Sequence, residues 1–214
     1  MISLASIDHI VMLSPSAKIA SDFIRNKLGL APAFGGRHVA FGTCNYLLSL
    51  GESQYLEVIA PQKELEAIAN IDDGDEFLSA CRALAQPMPY TFCIATSDFA
   101  NLESILKANG IAVAGPISEQ RQRPDGELLK WELLTCFDSE YGSVFPFFIK
   151  WGDCEHPATT SPTGCSLKNL VVRHPQHERL SAVFGALNLQ ASVHNSKRPG
   201  LDVVLSSPNG LVEL

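Results

Sequence analysis

The alternation of apolar and polar positions near the start of the chain predicts one strand, one helix and three further strands. The apolar run Ile7–Leu13 is typical of a strand, and the pair Ser14-Pro15 that follows it is typical of a helix start. Apolar residues at helical spacing come next, ended by a glycine that predicts the helix terminus: Ala20, Phe23, Ile24, Leu28 and Gly29. Strands are then predicted around residues 39–41, at 45–50 and at 54–60, which gives the order β-α-β-β-β.

The same order of elements restarts twice along the chain. A second copy begins with a strand at 91–95, has a helix ended by Gly110, and continues with strands near 117–119, 128–134 and 144–149. A turn is predicted inside it at Pro124-Asp125-Gly126. A third copy begins at Ser166 and closes with short strands at 202–205 and 211–214. Residues 62–86 are predicted to form one or two connecting helices, and residues 154–164 a linker rich in Pro, Thr and Ser.

These repeats predict an α+β fold made of tandem βαβββ modules. A single unit of this kind leaves one face of its sheet uncovered and is not stable alone. We therefore expect modules 5–61 and 89–151, within a unit spanning residues 1–153, to pair their mixed sheets into a half-barrel cup. The segment 165–214 is predicted to be a partial third module. A concave surface between two modules is a natural place for a small ligand.

Composition narrows the class of partner. The net charge is -7 and no run of basic residues is present, which argues against a nucleic-acid partner. No apolar run reaches the roughly 18 residues of a membrane-spanning helix, and the first residues lack the features of a signal peptide. Six scattered cysteines without a CxxC pair favour a reducing, cytoplasmic setting. The expected partner is a small-molecule ligand or substrate, and a homodimer is possible if the third copy packs on another protomer.

Several motifs resemble those of one superfamily. Asp8-His9-Ile10-Val11 resembles the first strand of vicinal-oxygen-chelate proteins, and the segment 55–61 around Glu57 resembles their closing strand. Within that superfamily, other segments look like the glyoxalase-like branch: residues 35–38, 42–45, 123–126, 129–131 and 146–151. The resemblance extends over roughly residues 6–190. It implies a cup in which residues of the first and last strands of paired modules hold one divalent ion.

For this chain, the resemblance implies that His9 and Glu57 are metal ligands, with Zn, Fe, Ni or Mn as the ion. Aligning the second copy through its strands places Phe92 in the position of His9 and Phe147 in the position of Glu57. Only half of a metal site would then be present, so we expect no tightly bound metal unless His38 completes the set. Two alternatives stay open for the pair: proton transfer or substrate anchoring, or a purely structural contact.

The candidate site residues fall into two groups. The candidate catalytic residues are His9, Glu57 and His38. The candidate substrate-binding residues are Arg37, Asn45, Phe92, Arg121, Arg123, Trp131 and Phe147. Either Arg121 or Arg123 could clamp an anionic group, and the aromatic residues could equally be ordinary core packing. The remaining histidines, with no ligand spacing, are predicted to lie on the surface: His156, His174, His177 and His194.

The leading hypothesis is therefore a glyoxalase-like enzyme that acts on a small oxygen-rich or aromatic metabolite, with lyase or dioxygenase chemistry as options. The alternative is a non-catalytic protein that binds and sequesters a planar small molecule, as bleomycin-resistance proteins do. Metal content and turnover separate the two hypotheses.

Overall fold

The computed structural model describes residues 6–71, 75–123, 126–136 and 140–214. The first module consists of β1 (Ser6–Leu13), α1 (Ala17–Leu28), β2 (Ala33–His38), β3 (Thr43–Gly51) and β4 (Gln54–Pro61). Two connecting helices follow, α2 (Lys63–Ala69) and α3 (Glu76–Arg82). The second module consists of β5 (Met88–Ala95), α4 (Phe99–Ala108), β6 (Ala114–Gln122), β7 (Leu128–Thr135) and β8 (Phe147–Trp151). The short helix α5 (Pro157–Thr160) leads to the third module: β9 (Ser166–His174), α6 (His177–Ala186), β10 (Ser192–Asn195), β11 (Gly200–Ser207) and β12 (Gly210–Glu213).

The ends of the first helix show why these elements form where they do. The side chain of Ser16 accepts a hydrogen bond from the backbone N–H of Ile19 at 3.3 Å, so helix α1 begins two residues after the predicted Ser14 start. Gly29 ends it in the left-handed conformation with φ 76°, as predicted. The strand predicted at 39–41 is instead a 3₁₀ turn, because Gly42, with φ 63°, reverses the chain there. The strand of this region lies earlier in the chain than predicted, as β2 (Ala33–His38).

The first two modules share one continuous sheet. Its strand order is β2-β3-β4-β1-β5-β8-β7-β6, and each module contributes four neighbouring strands. β1 pairs in parallel with β4, β5 pairs in parallel with β8, and the two modules meet where β1 and β5 run antiparallel. The α+β fold of paired βαβββ modules is therefore confirmed. Of the turn predicted at 124–126, Pro124 and Asp125 lie outside the described residues.

The third module forms a separate four-stranded sheet in the order β10-β9-β11-β12. Its first strand β9 pairs directly with β10 and β11, whereas in the other modules the first strand pairs with the fourth. It packs on its own chain, against the face of the large sheet that points away from the cavity described below. There Phe184 of α6 contacts Phe92 and Phe145, with ring centroids 6.2 and 6.1 Å apart. The large sheet and the third module thus share one apolar core.

None of the helices in the described part of the chain has the length and apolar character that crossing a membrane requires.

Replacing Leu180 of α6 by alanine tests how strongly the third module stabilises the whole fold. Leu180 is fully buried in the shared core, so Leu180→Ala removes apolar contacts and leaves a cavity. We expect the free energy of unfolding to fall by about 2–5 kcal/mol. The matched control is Leu211→Ala in the same module, where the side chain is 73% exposed and the expected change is within about 0.5 kcal/mol. Urea denaturation measures both, and equal effects would contradict a shared core.

Candidate functional site

A cavity of about 1000 Å³ lies on the inner face of the eight-stranded sheet, between its two halves. The first module contributes five of the predicted site residues to the lining: His9, Arg37, His38, Asn45 and Glu57. The second module contributes four: Arg121, Arg123, Trp131 and Phe147. The structure therefore brings nine of the ten sequence candidates to one cavity.

The exception is Phe92, and the prediction that it lines the cup is wrong. Phe92 is fully buried in the core on the other face of the sheet, where it packs against Phe184. The antiparallel register of β1 and β5 pairs His9 with Cys93 and Ile10 with Phe92. Because neighbouring strand residues alternate between the two faces, Phe92 shares the core face with Ile10 rather than the cavity face with His9.

His9 and Glu57 meet in the middle of the cavity. β1 and β4 are adjacent parallel strands, and the alternation along β4 points Tyr55, Glu57 and Ile59 into the cavity. His9 Nε2 lies 3.5 Å from Glu57 Oε2, which confirms the predicted convergence of these two side chains. Two rings hold the imidazole: Tyr55 stacks on it at 4.5 Å and Phe147 contacts it edge-on at 5.5 Å. Phe147 thus faces the pair, on the strand where the resemblance implies a second glutamate.

A chain of hydrogen bonds connects Glu57 to the second module. Asn45 Nδ2 donates to Glu57 Oε1 at 2.5 Å, and Arg121 Nη1 donates to Asn45 Oδ1 at 3.2 Å. Two glycines of β2 make room for these side chains. A Cβ at Gly35 would lie 2.5 Å from Asn45 Oδ1, and a Cβ at Gly36 would lie 2.8 Å from Arg121 Cδ. The glycine pair is therefore part of the site, because any side chain there would displace Asn45 or Arg121.

The three arginines of the cavity lining differ in exposure and in whether a carboxylate neutralises their charge. Arg123 forms an ion pair with Glu155 at 3.1 Å, and Arg37 is exposed. The guanidinium of Arg121 has no carboxylate within 4.0 Å among the described residues, and its buried Nε has no hydrogen-bond partner there. Because Arg121 lines the cavity, an anionic ligand group can supply the missing ion pair. Of the two candidate clamps, the geometry favours Arg121 over Arg123.

His38 stands beside this group without joining it. Its Nδ1 lies 3.2 Å from Thr43 Oγ1, and its Nε2 lies 4.0 Å from Glu57 Oε1. Burial lowers the pKa of His38 below its usual value, and the nearby Arg121 charge lowers it further, against the opposing effect of Glu57. His38 is therefore held as a neutral ring at the edge of the site.

Sequence reasoning did not foresee that Asp8, Trp151 and His156 together hold His9 from behind. Asp8 Oδ1 lies 2.6 Å from His9 Nδ1, while Asp8 Oδ2 accepts from Trp151 Nε1 at 2.8 Å and contacts His156 Nε2 at 3.1 Å. We call Asp8, His9, Trp151 and His156 the Asp8 cluster. The prediction that His156 lies on the surface is wrong, because α5 packs against β3 and β4 and carries this ring inward. The same prediction is wrong for His174, which is 2% exposed, and right for His194.

The donor set fits a metal ion poorly. Among the described residues, one compact group of three possible ligands is present: Asp8, His9 and Cys93, with donor atoms within 4.8 Å of one another. Both Asp8 oxygens already take part in hydrogen bonds with N–H groups, and burial raises the pKa of the Cys93 thiol well above its usual value, which keeps it protonated. In the cavity itself, His9 and Glu57 supply two donors, fewer than the usual three or more.

Comparisons with known proteins agree with this fold. A family model described as a glyoxalase-like domain matches residues 7–187. No curated protein matches the chain. Among solved structures, a hypothetical protein from Staphylococcus aureus has a TM-score of 0.68 at 16% identity, covering 92% of this chain and 88% of that one. A methylmalonyl-CoA epimerase from Mycobacterium tuberculosis has a TM-score of 0.47 at 17% identity, covering 69% and 89% respectively. At these identities the Staphylococcus aureus structure shows a shared fold and says nothing of activity.

The lowered pKa of His38 predicts a dependence of stability on pH. An unfolded histidine takes up a proton at about pH 6.5, whereas folded His38 stays neutral to lower pH. Between these two values the unfolded state binds more protons, so stability rises with pH through this window; acidification lowers it within the window, and below the folded pKa this group has no further effect. NMR titration of the His38 ring should give a midpoint below the value of about 6.5 for a histidine in an unfolded chain. The pH dependence of stability should weaken in His38→Gln; a His38 midpoint at or above that value would contradict the burial argument.

Proposed function

We propose that this chain, which belongs to the glyoxalase-like domain family of the vicinal-oxygen-chelate superfamily, is an enzyme that moves a proton on a small oxygen-rich or aromatic metabolite. The observation that carries the proposal is the His9–Glu57 pair, whose Nε2 and Oε2 lie 3.5 Å apart in the cavity. Burying a carboxylate beside an imidazole in a cavity lowers the free energy of unfolding, so the pair is poorly explained by a purely structural role. It is suited to general acid–base catalysis.

The remaining lining supports a ligand with one anionic end and an apolar body. Arg121 offers a guanidinium that has no ion pair within the described part of the chain and is hydrogen-bonded to Asn45, which also contacts Glu57. The second module adds aromatic surface, since Trp131 and Trp151 pack with ring centroids 5.7 Å apart and Phe147 lies beside His9. The cavity volume of about 1000 Å³ suits a ligand of metabolite size. A small aromatic or branched carboxylic acid combines these features.

The aromatic surface also supports a second candidate, a protein that binds and sequesters a planar molecule without converting it. Trp131, Trp151 and Phe147 would then supply the affinity, and Arg121 the orientation. Under this candidate, His9 and Glu57 are polar anchors that exchange no proton with the ligand. The two candidates differ in chemistry and not in the place where the ligand binds, so turnover decides between them.

Proton exchange in D₂O tests the proposed function. Small hydroxy, keto and aromatic acids are first screened for binding by thermal shift, and the bound compounds are then followed by NMR for loss of a C–H signal. We expect exchange in the wild-type protein and a fall of about 10²–10⁴-fold in Glu57→Gln, which keeps the shape of the side chain but removes the negative charge that faces His9 Nε2 and stabilises the protonated ring. Binding with no exchange of any bound compound would contradict the enzyme proposal and favour the sequestering protein.

The same compounds test the anionic anchor through a matched pair of variants. Arg121→Gln removes the guanidinium that lacks an ion pair, and we expect the affinity for carboxylates to fall by roughly 10-fold or more, the loss of a charged hydrogen bond. Arg123→Gln is the control, because Arg123 is already paired with Glu155. Equal losses in the two variants, measured by calorimetry, would show that neither arginine is a specific anchor.

The count of ligands predicts that no metal ion binds tightly and stoichiometrically. His9 and Glu57 offer one nitrogen and one carboxylate, the ring of Phe147 contacts His9 edge-on, and His38 Nε2 remains 4.0 Å from Glu57 Oε1. Sites with two protein ligands bind divalent ions weakly compared with those that have three. Elemental analysis of protein purified without chelator checks this expectation. One equivalent of Zn, Fe, Ni or Mn that disappears in His9→Ala would prove it wrong.

A further inference from the structure

We infer that Asp8, held in place by Trp151 and His156, is a positioning residue that fixes the proton of His9 on Nδ1 and leaves Nε2 to exchange a proton in the cavity. This inference deepens the proposed function and rests on it for its catalytic meaning. The structural part of the inference, the position of the proton on His9, concerns the Asp8 cluster alone and can be measured without a substrate.

The backbone of β1 explains how Asp8 reaches His9. In a regular strand, neighbouring side chains point to opposite faces of the sheet. The register of β1 against β5 pairs Ile7 with Ile94 and His9 with Cys93, which leaves Asp8 as one extra residue between two paired positions. Such a bulge lets two successive side chains turn toward the same face. Asp8 therefore lies beside His9, buried to 1% exposure, although the two are sequence neighbours.

The donors around Asp8 have defined protonation. The indole Nε1 of Trp151 always carries a hydrogen and donates to Asp8 Oδ2 at 2.8 Å. His156 Nδ1 accepts a hydrogen bond from the backbone N–H of Ala158 at 3.2 Å. In the neutral ring the hydrogen must then be on Nε2, which donates to Asp8 Oδ2 at 3.1 Å. Two N–H groups directed at one oxygen require an acceptor there, as an ionised carboxylate provides.

The hydrogen bonds from Trp151 and His156 keep Asp8 in that ionised form, because a proton on Oδ2 would compete with both donors. An ionised Asp8 can only accept hydrogen bonds. The 2.6 Å contact with Oδ1 thus requires the hydrogen on His9 Nδ1.

The consequence appears at the other nitrogen of His9. With Nδ1–H bound to Asp8, Nε2 of the neutral ring carries a lone pair and faces Glu57 Oε2 at 3.5 Å. When a ligand is deprotonated, its C–H or O–H bond breaks and an N–H bond forms at Nε2. The electron pair remains on the ligand, where Arg121 can stabilise it. Asp8 keeps its charge throughout and stabilises the imidazolium that forms, as a buried aspartate does in a serine-protease triad.

The residues that contact Asp8 come from distant parts of the chain. Trp151 is the last residue of β8, and His156 lies in the segment that connects the second and third modules. That segment is fixed on the first module by a hydrogen bond from Ser49 N–H to the Pro162 carbonyl at 2.9 Å. Polar groups from β1 and from the stretch between Trp151 and His156 thus converge on one buried carboxylate. Apolar residues at these positions would fill the same space, so the polar contacts indicate that the cluster orients His9.

The test is the tautomer of His9, read from the ¹⁵N shifts of histidine-labelled protein without ligand at alkaline pH. We expect Nδ1 to carry the hydrogen in the wild type and Asp8→Asn to remove this preference. In His156→Leu, the His9 Nδ1 proton should exchange with water roughly 10–100-fold faster, the equivalent of one hydrogen bond to a charged group. The matched control His194→Leu, at an exposed histidine, should change neither measurement.

Three results would overturn the inference: wild-type His9 with its hydrogen on Nε2, an unchanged tautomer in Asp8→Asn, or unchanged proton exchange in His156→Leu. If Asp8→Asn fails to fold, the wild-type tautomer and His156→Leu still decide the matter. Because no ligand is needed, this outcome is separate from the proposed function. A confirmed tautomer without any proton exchange on bound ligands would contradict the enzyme proposal alone.

Discussion

The antiparallel pairing of β1 with β5 is the interaction on which the rest of the structure depends. It joins two four-stranded halves into one sheet, so that the inner faces of both modules line a single cavity. It also places His9 at the junction, where side chains of both modules reach it. The irregularity at Asp8 within this pairing turns a second polar side chain inward. One pairing therefore creates the cavity and positions the polar residues at its centre.

A joined sheet of this kind has a second face that must be covered, and this requirement connects the third module to the site. The outer face carries large apolar side chains such as Ile10, Phe92 and Phe148, which α1, α4 and the third module cover. The chain must travel from the end of β8 to the start of β9 to provide that cover. On the way it passes the first module, where α5 delivers His156 to Asp8. The chain that follows β8 thus both contributes the Asp8 contact that holds His9 and covers the outer face of the sheet.

What the sequence could predict were features with a local cause. Gly29 ends α1 as expected, and the local motifs around His9 and Glu57, through their resemblance to the first and closing strands of one superfamily, predicted that the two residues share a site. The errors have non-local causes. Phe92 was placed in the cavity because an alignment of repeats has no information on the register between strands, and one extra residue near Asp8 changes which face is shared. His156 was assigned to the surface because its partner Asp8 is 148 residues away, a distance that spacing rules cannot detect.

The spacing of charges explains how the cavity keeps its reactive groups available. A direct ion pair between Glu57 and Arg121 would satisfy both and leave neither for a ligand. Asn45 stands between them instead, donating to the carboxylate and accepting from the guanidinium. The amide of Asn45 thus links the carboxylate and the guanidinium through two hydrogen bonds. Glu57 Oε2 stays directed at His9, and Arg121 Nε has no protein partner in the described part of the chain. Gly35 and Gly36 leave the space that Asn45 and Arg121 need. These two glycines therefore allow Glu57 and Arg121 to stay apart, each available to a ligand.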